Sequence, residues 1–218
     1  MKALFLILTL SALSLQAIYA DWVIVQKTVT DGKADEMIIK AKGSKTRTDI
    51  GTKMSLISDS TTGDIITLMH EQKILMKMNP DSMKGLMAMA GSLLNKNEPP
   101  AKPTATGKME KVGTYDTEIY TWSSKLGSGK FWVAKNFADF QELNSMQDKL
   151  MKSMANPLAT LVPQNSDFPG MVVKSEISIM GKTAISELIS AKKDPVDDAV
   201  FIAPEGYQEM KMPSLPGK

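Results

Sequence analysis

Six stretches of alternating apolar and polar residues, parted by short turn signals, fill the first third of this chain. They are Trp22–Thr30, Glu36–Lys42, Lys45–Ile50, Met54–Asp59, Asp64–His70 and Lys73–Met78. A period of two puts every second side chain on one face of a strand. Between them lie Asp31-Gly32-Lys33, Gly43-Ser44, Gly51-Thr52, Thr61-Thr62-Gly63 and Glu71-Gln72, residues that suit tight turns. Parallel neighbours need crossovers of a dozen residues or more, so connections this short predict an antiparallel meander.

A helix is predicted next, over 80–95. Asn79 caps it, Pro80 takes its first position and Asp81 complements its positive end. Met83, Leu86, Met87, Ala90, Leu93 and Leu94 recur at helical spacing. Residues 95–107 hold three prolines and read as a mobile loop. Strands resume at Lys108–Val112, Tyr115–Ser123 and Lys130–Lys135. A second helix covers 139–155 with the stripe Phe140, Leu143, Met146, Leu150, Met151 and Met154, and Asn156-Pro157 ends it. After a loop at 163–170 come Met171–Met180 and Thr183–Ala191, joined at Gly181-Lys182. A two-residue loop there would set Glu176 against Glu187, an unfavourable pair, which calls for a longer loop. Asp194-Pro195 breaks the last strand, a short turn reaches Phe201, and 212–218 reads as a loose tail. The expected fold is α+β: an antiparallel sheet of about eleven strands, curled into a half-barrel, with two main helices on its concave face.

The first residues carry a different pattern. Lys2 precedes an apolar run from Ala3 to Leu15, and Ala17-Ile18-Tyr19-Ala20 offers a small residue for cleavage. This predicts a signal peptide over 1–20, removed near Ala20, and a single periplasmic or secreted domain over 21–218. The run is shorter than the ~20 apolar residues that span a bilayer, and no later stretch approaches that length, so no transmembrane anchor is expected.

Composition narrows the chemistry. Lys+Arg is 26 against Asp+Glu 24, so there is no basic footprint for nucleic acid. Arg47 is the only arginine, which leaves almost no guanidinium forks for anion recognition. There is no cysteine, hence no disulfide, no thiolate and no acylated lipoprotein terminus. His70 is the only histidine. One imidazole builds neither a multi-histidine zinc site nor, without a visible partner, a triad, and at a hairpin end it reads as solvated. Ser190-Ala191-Lys192-Lys193 matches a Ser-x-x-Lys string, but at a strand end rather than a helix start. Gly127-Ser128-Gly129 reads as a turn, without the helix and lysine of a phosphate loop. The chain is therefore expected not to be a hydrolase, redox enzyme or transferase, and no catalytic residue, metal site or cofactor is assigned.

Several stretches together resemble an exported bacterial family known only as a domain of unknown function. They are Ala20-Asp21-Trp22-Val23-Ile24-Val25-Gln26-Lys27, Ile65-Ile66-Thr67-Leu68-Met69-His70, Tyr115-Asp116-Thr117-Glu118-Ile119-Tyr120-Thr121-Trp122, Trp132-Val133-Ala134-Lys135 and Pro204-Glu205-Gly206-Tyr207. That family is in turn distantly similar to the periplasmic lipoprotein carriers, and the similarity implies a half-barrel with helices lidding an apolar cavity. The carriers have an Arg-Pro pair on an early strand, whereas Arg47 here precedes Thr48, which argues against direct carriage of lipoproteins. The resemblance implies no catalytic residue.

The chain has 17 methionines. A two-residue hairpin at Glu71-Gln72 would pair Met69 with Ile74, Thr67 with Met76 and Ile65 with Met78, gathering three methionines on one face. Flexible thioethers repack around ligands of varied shape, and they also fill ordinary cores. The expected site is a cavity between sheet and helices lined by Met69, Ile74, Met76, Met78, Met83, Leu86, Met87, Phe140, Leu143 and Met146, taking a lipid or acyl chain. Two alternatives compete. One is Cu(I) on the Met-x-Met pairs Met76–Met78, Met87–Met89 and Met210–Met212, since soft thioethers favour that ion. Against it, Met87 and Met89 do not share a helix face, and His70 points away from Met69, Met76 and Met78. The other is a structural or interaction protein with a filled core.

Overall fold

The computed structural model describes residues 21–80, 101–125, 127–153 and 162–210. The predicted signal peptide, the helix of 80–95 beyond its first residue and the tail of 212–218 lie outside them.

One mostly antiparallel sheet contains twelve strands, in the order β12-β6-β5-β4-β3-β2-β1-β11-β10-β9-β8-β7. The first six are Trp22–Thr30 (β1), Lys33–Lys42 (β2), Lys45–Ile50 (β3), Met54–Asp59 (β4), Asp64–Met69 (β5) and Ile74–Met78 (β6). They form the predicted meander. The rest are Thr104–Val112 (β7), Tyr115–Ser123 (β8), Gly127–Ala134 (β9), Met171–Ile179 (β10), Lys182–Lys193 (β11) and Gln208–Glu209 (β12). β12 and β7 are the free ends, so the sheet is open. Among the described residues the α-helix, α1, runs from Phe140 to Ser153. It touches both β10 and β4, five places apart in the strand order, and so lies across the sheet.

Register settles which residues share a face. Ile24 opposes Ile39, Ile39 opposes Thr48, Thr48 opposes Leu56, Leu56 opposes Thr67 and Thr67 opposes Met76. Opposed residues project to the same side. The front face therefore runs unbroken from Ile24 and Ile39, in the main core with Leu143 of α1, to the methionines of β6. Arg47, Asp49, Ser55, Ile57, Leu68 and Leu75 alternate onto the back face.

The back face is covered by the C-terminal segment. After β11 the chain crosses behind the meander, burying Val196 and Phe201 against Ile57, Leu68 and Leu75. Val196 N donates to Asp21 Oδ2 (3.0 Å), Lys42 Nζ to the Val196 carbonyl (2.9 Å) and Arg47 Nη1 to the Val200 carbonyl (3.1 Å). Residues 208–209 then pair with β6 in parallel. This strap has no periodicity, and it adds the twelfth strand that the sequence reading lacked.

Three expectations are corrected. Part of the predicted loop of 95–107 is strand, since β7 begins at Thr104. Gly127 and Gly129 lie in β9 rather than in a turn. They are glycine because of crowding: a Cβ on Gly127 would stand 2.3 Å from the Ser178 carbonyl oxygen, and one on Gly129 2.9 Å from the Phe131 ring. The β10–β11 hairpin turns through Met180 and Gly181, both at positive φ, so Ile179 opposes Lys182. Glu187 then opposes Lys174 and Glu176 opposes Ile185, which removes the like-charge conflict by a shift of register rather than a longer loop.

Candidate functional site

Two groups of side chains merit chemical scrutiny: a cleft between α1 and the front face, and a polar cluster on the back face.

The cleft begins with the way α1 is fixed. Trp22 Nε1 donates to Glu142 Oε1 (3.0 Å). Lys193 Nζ bridges Asp139 Oδ2 (3.0 Å) and Glu142 Oε2 (3.2 Å), 5.2 Å from the Trp22 ring centre. These contacts pin the start of α1 to β1 and β11, and Asp139 and Glu142 hold the Lys193 ammonium above its ordinary pKa. Further along, Asn144 Nδ2 donates to the carbonyls of Asn165 and Gly170, both at 3.1 Å. Asp148 accepts from the N–H groups of Asn165 (2.9 Å) and Ser166 (3.1 Å). The loop before β10 is thereby tied to the helix.

Between these anchors lies an opening of about 210 Å³. Met37, Ile39, Val172, Val173 and Leu188 supply its apolar lining, and Gln26, Gln147, Asn165, Lys174, Ser175 and Ser186 its polar part. The volume exceeds the ~150 Å³ of an engineered apolar cavity that accepts benzene. It falls below the ~300 Å³ at which drug-sized pockets begin.

None of the seven expected lining residues that are described borders this cleft. Leu143 is fully buried in the core, and Phe140 and Met146 pack against the same cluster. Met69, Ile74, Met76 and Met78 are half-buried on the front face of β5 and β6, in the expected register. Met83, Leu86 and Met87 lie outside the described residues. The cleft sits instead over β1, β2, β10 and β11. The missed signal was on α1: Asn144 and Gln147 continue the inward row of Phe140 and Leu143 at helical spacing, and both are buried polar residues.

The back-face cluster corrects the solvated reading of His70. Its Nε2 meets Ser55 Oγ at 2.7 Å and its Nδ1 meets the Tyr207 hydroxyl. Ser55 Oγ also lies 2.5 Å from Asp49 Oδ1 and 3.1 Å from Arg47 Nη2, while Arg47 Nε donates to Asp49 Oδ1 at 2.7 Å. A proton count fixes the roles. The Asp49 carboxylate only accepts, so Ser55 donates to it. Ser55 then accepts from Arg47 and from Nε2–H of His70, while Nδ1 and the Tyr207 hydroxyl share a bond that either atom can donate. Burial pushes the Asp49 carboxyl up, but the bonds from Ser55 and Arg47 and the charges of Arg47 and Lys40 together hold it below its ordinary pKa. A serine beside a histidine suggests a nucleophile, yet this Ser55 proton points to Asp49, and Nε2 carries a proton of its own. Ser55 is also 0% exposed. The cluster fastens the strap. Arg47, the only arginine, is spent on Asp49, Ser55 and the Val200 carbonyl.

Comparison with known proteins identifies the family. Residues 23–207 match the family described as Domain of unknown function (DUF4412). The chain belongs to this family. The sequence resemblance to a family of unknown function is thus met. No curated protein matches the DUF4412 chain. Among solved structures, PNGF-II is matched at 14% identity and TM-score 0.43, over 89% of this chain and 31% of that one. The chain thus spans about a third of PNGF-II. The lipoprotein LppX of Mycobacterium tuberculosis is matched at 10% identity and TM-score 0.43, over 80% of this chain and 88% of LppX. A DUF1329 family protein from Desulfovibrio piger is matched at 12% identity and TM-score 0.36, over 86% and 91% of the two chains. No helix among the described residues is long and apolar enough to cross a membrane.

Proposed function

We propose that this is a non-catalytic envelope protein that holds an apolar molecule, a lipid or acyl chain, between the sheet and α1. The observation that carries this reading is the cleft itself: an opening of about 210 Å³ whose apolar lining is Met37, Ile39, Val172, Val173 and Leu188. Each CH₂ buried there contributes about 0.8 kcal/mol to binding. Met69, Ile74, Met76 and Met78 continue the same face, half-buried, and a longer chain would run towards them.

The buried Ser55–His70 pair supports the non-catalytic part of the reading, since its protons are committed elsewhere. The same geometry weighs against copper: both ring nitrogens of His70 are engaged on the back face, away from the front-face methionines.

Native mass spectrometry of protein taken from its own envelope tests the reading. A co-purifying mass of lipid size is the expected result. A copper-sized mass would favour the Cu(I) alternative, and a clean apoprotein that gains no mass from added lipid would overturn the proposal.

A further inference from the structure

We infer that the cleft recognises the polar head of its ligand through Gln147, and that this head is uncharged. The inference rests on the ligand-binding reading above and narrows it to a chemical class.

Gln147 stands one turn beyond Leu143 on the sheet-facing side of α1 and is only 9% exposed. It lines the cleft, and among the described residues its amide makes no hydrogen bond. Among the described residues the buried side-chain atoms without a partner are Trp122 Nε1, Trp132 Nε1 and Asn144 Oδ1, so the Gln147 amide is open to the cleft, and a ligand that displaces water there must replace its hydrogen bonds. Its neighbours offer the same neutral chemistry. Gln26 Oε1 accepts from Ser186 Oγ at 3.4 Å, which leaves the Gln26 NH₂ as a donor, and the Ser175 hydroxyl belongs to the same wall.

The charges nearby argue against an ionised head. Lys174 lines the cleft, but its Nζ lies 4.8 Å from the Trp132 ring centre, against a ring that attracts cations. Asp148 follows Gln147 and is 7% exposed; its carboxylate accepts from Asn165, itself part of the wall. A fixed negative charge beside the opening disfavours a second one. The head that fits carries both a donor and an acceptor without net charge, as a hydroxyl or a carboxamide does. The volume admits such a head with the first carbons of its tail, and Met37, Ile39 and Leu188 receive the tail.

The test compares three probes with one tail. Octanamide, 1-octanol and octanoate are titrated into the purified mature chain at neutral pH, where octanoate is ionised, and affinities are read by calorimetry. The two neutral heads should bind at least about fivefold more tightly than octanoate, the weight of one net hydrogen bond. Gln147→Leu should weaken octanamide by a similar factor while melting no lower than the parent, because it breaks no hydrogen bond within the described residues. Gln147→Glu, of the same size, should shift the preference to octylammonium. Octanoate binding as tightly as octanamide, or Gln147→Leu binding octanamide unchanged, sinks the inference and leaves the ligand-binding reading standing. If none of the three probes binds, that reading falls as well.

Discussion

The Tyr207 hydroxyl is hydrogen-bonded to Nδ1 of His70, 137 positions earlier in the chain. The two rings also meet edge to face, 5.9 Å between centres and 83° between planes. The strap of residues 194–210 is thus tied to the meander by a contact between residues far apart in sequence. Tyr207→Phe removes one hydrogen bond and keeps the ring packing, so it should cost about 1 kcal/mol. His70→Ala removes the bonds to both Ser55 and Tyr207 together with the ring contact, and should cost about 2–3 kcal/mol. Urea unfolding of both variants checks the order; equal stability of His70→Ala and the parent would mean that the strap is held by Val196, Phe201 and the bonds to Asp21, Lys42 and Arg47.

The hydrogen bonds of Ser55 do not suit a nucleophile. Its Oγ donates to Asp49 and accepts from Arg47 and His70. A fluorophosphonate probe should leave the native protein unlabelled. Ser55→Ala leaves two buried donors short of an acceptor and should destabilise by about 1–3 kcal/mol. Stoichiometric labelling that disappears in Ser55→Ala would refute the non-catalytic reading.

Acid should loosen the same cluster. Asp49 has its folded-state pKa below the ordinary 3.8. A depressed carboxyl contributes stability that is fully present above its unfolded pKa and is lost as pH falls through the folded value. The melting temperature of the parent should therefore fall more steeply below pH 4 than that of Asp49→Asn. Parallel curves for the two proteins from pH 6 to pH 2.5 would count against this role.

The β1–β6 meander was legible because each strand has one buried and one polar face, and because a two-residue turn fixes register. Met69 opposes Ile74 as the Glu71-Gln72 turn requires. Where a glycine serves packing rather than turning, the local reading fails. Gly127 and Gly129 look like a turn, and only the neighbouring Ser178 and Phe131 show why nothing larger fits. The strap was illegible for a similar reason: Val196, Phe201 and Tyr207 follow no period, and their partners are strands formed long before them. The cleft escaped because its polar wall, Gln26, Ser175 and Ser186, alternates as a solvent face would.

Gly127→Ala is the direct check on that explanation. Its Cβ would stand 2.3 Å from the Ser178 carbonyl oxygen, 3.1 Å from Ile179 Cγ1 and 3.2 Å from Ile179 Cα. Backbone must move in two strands, so a loss of about 1–3 kcal/mol is expected. Gly181→Ala, at φ +80 with nothing within 4 Å, meets no neighbour and is strained through its own backbone alone. Hydrogen exchange separates the two. Gly127→Ala should loosen the β9–β10 ladder along its length, and Gly181→Ala only the hairpin tip.

Filling the cleft should abolish binding without unfolding the protein. Ser186 lies at its edge on β11, half-buried, and a tryptophan there suits a strand and would occupy much of the opening. A ligand at a hundred times its dissociation constant stabilises the native state by about 2.7 kcal/mol. For a domain of this size each 1 kcal/mol raises the melting temperature by about 2–4 °C, so octanamide should raise that of the parent by about 5–10 °C. Ser186→Trp should melt close to the unliganded parent and respond to octanamide by less than about 1 °C. A full response in Ser186→Trp would place the ligand elsewhere on the front face. The half-buried methionines Met69, Met76 and Met78 would then be the next positions to fill, because they continue that face beyond the reach of the cleft.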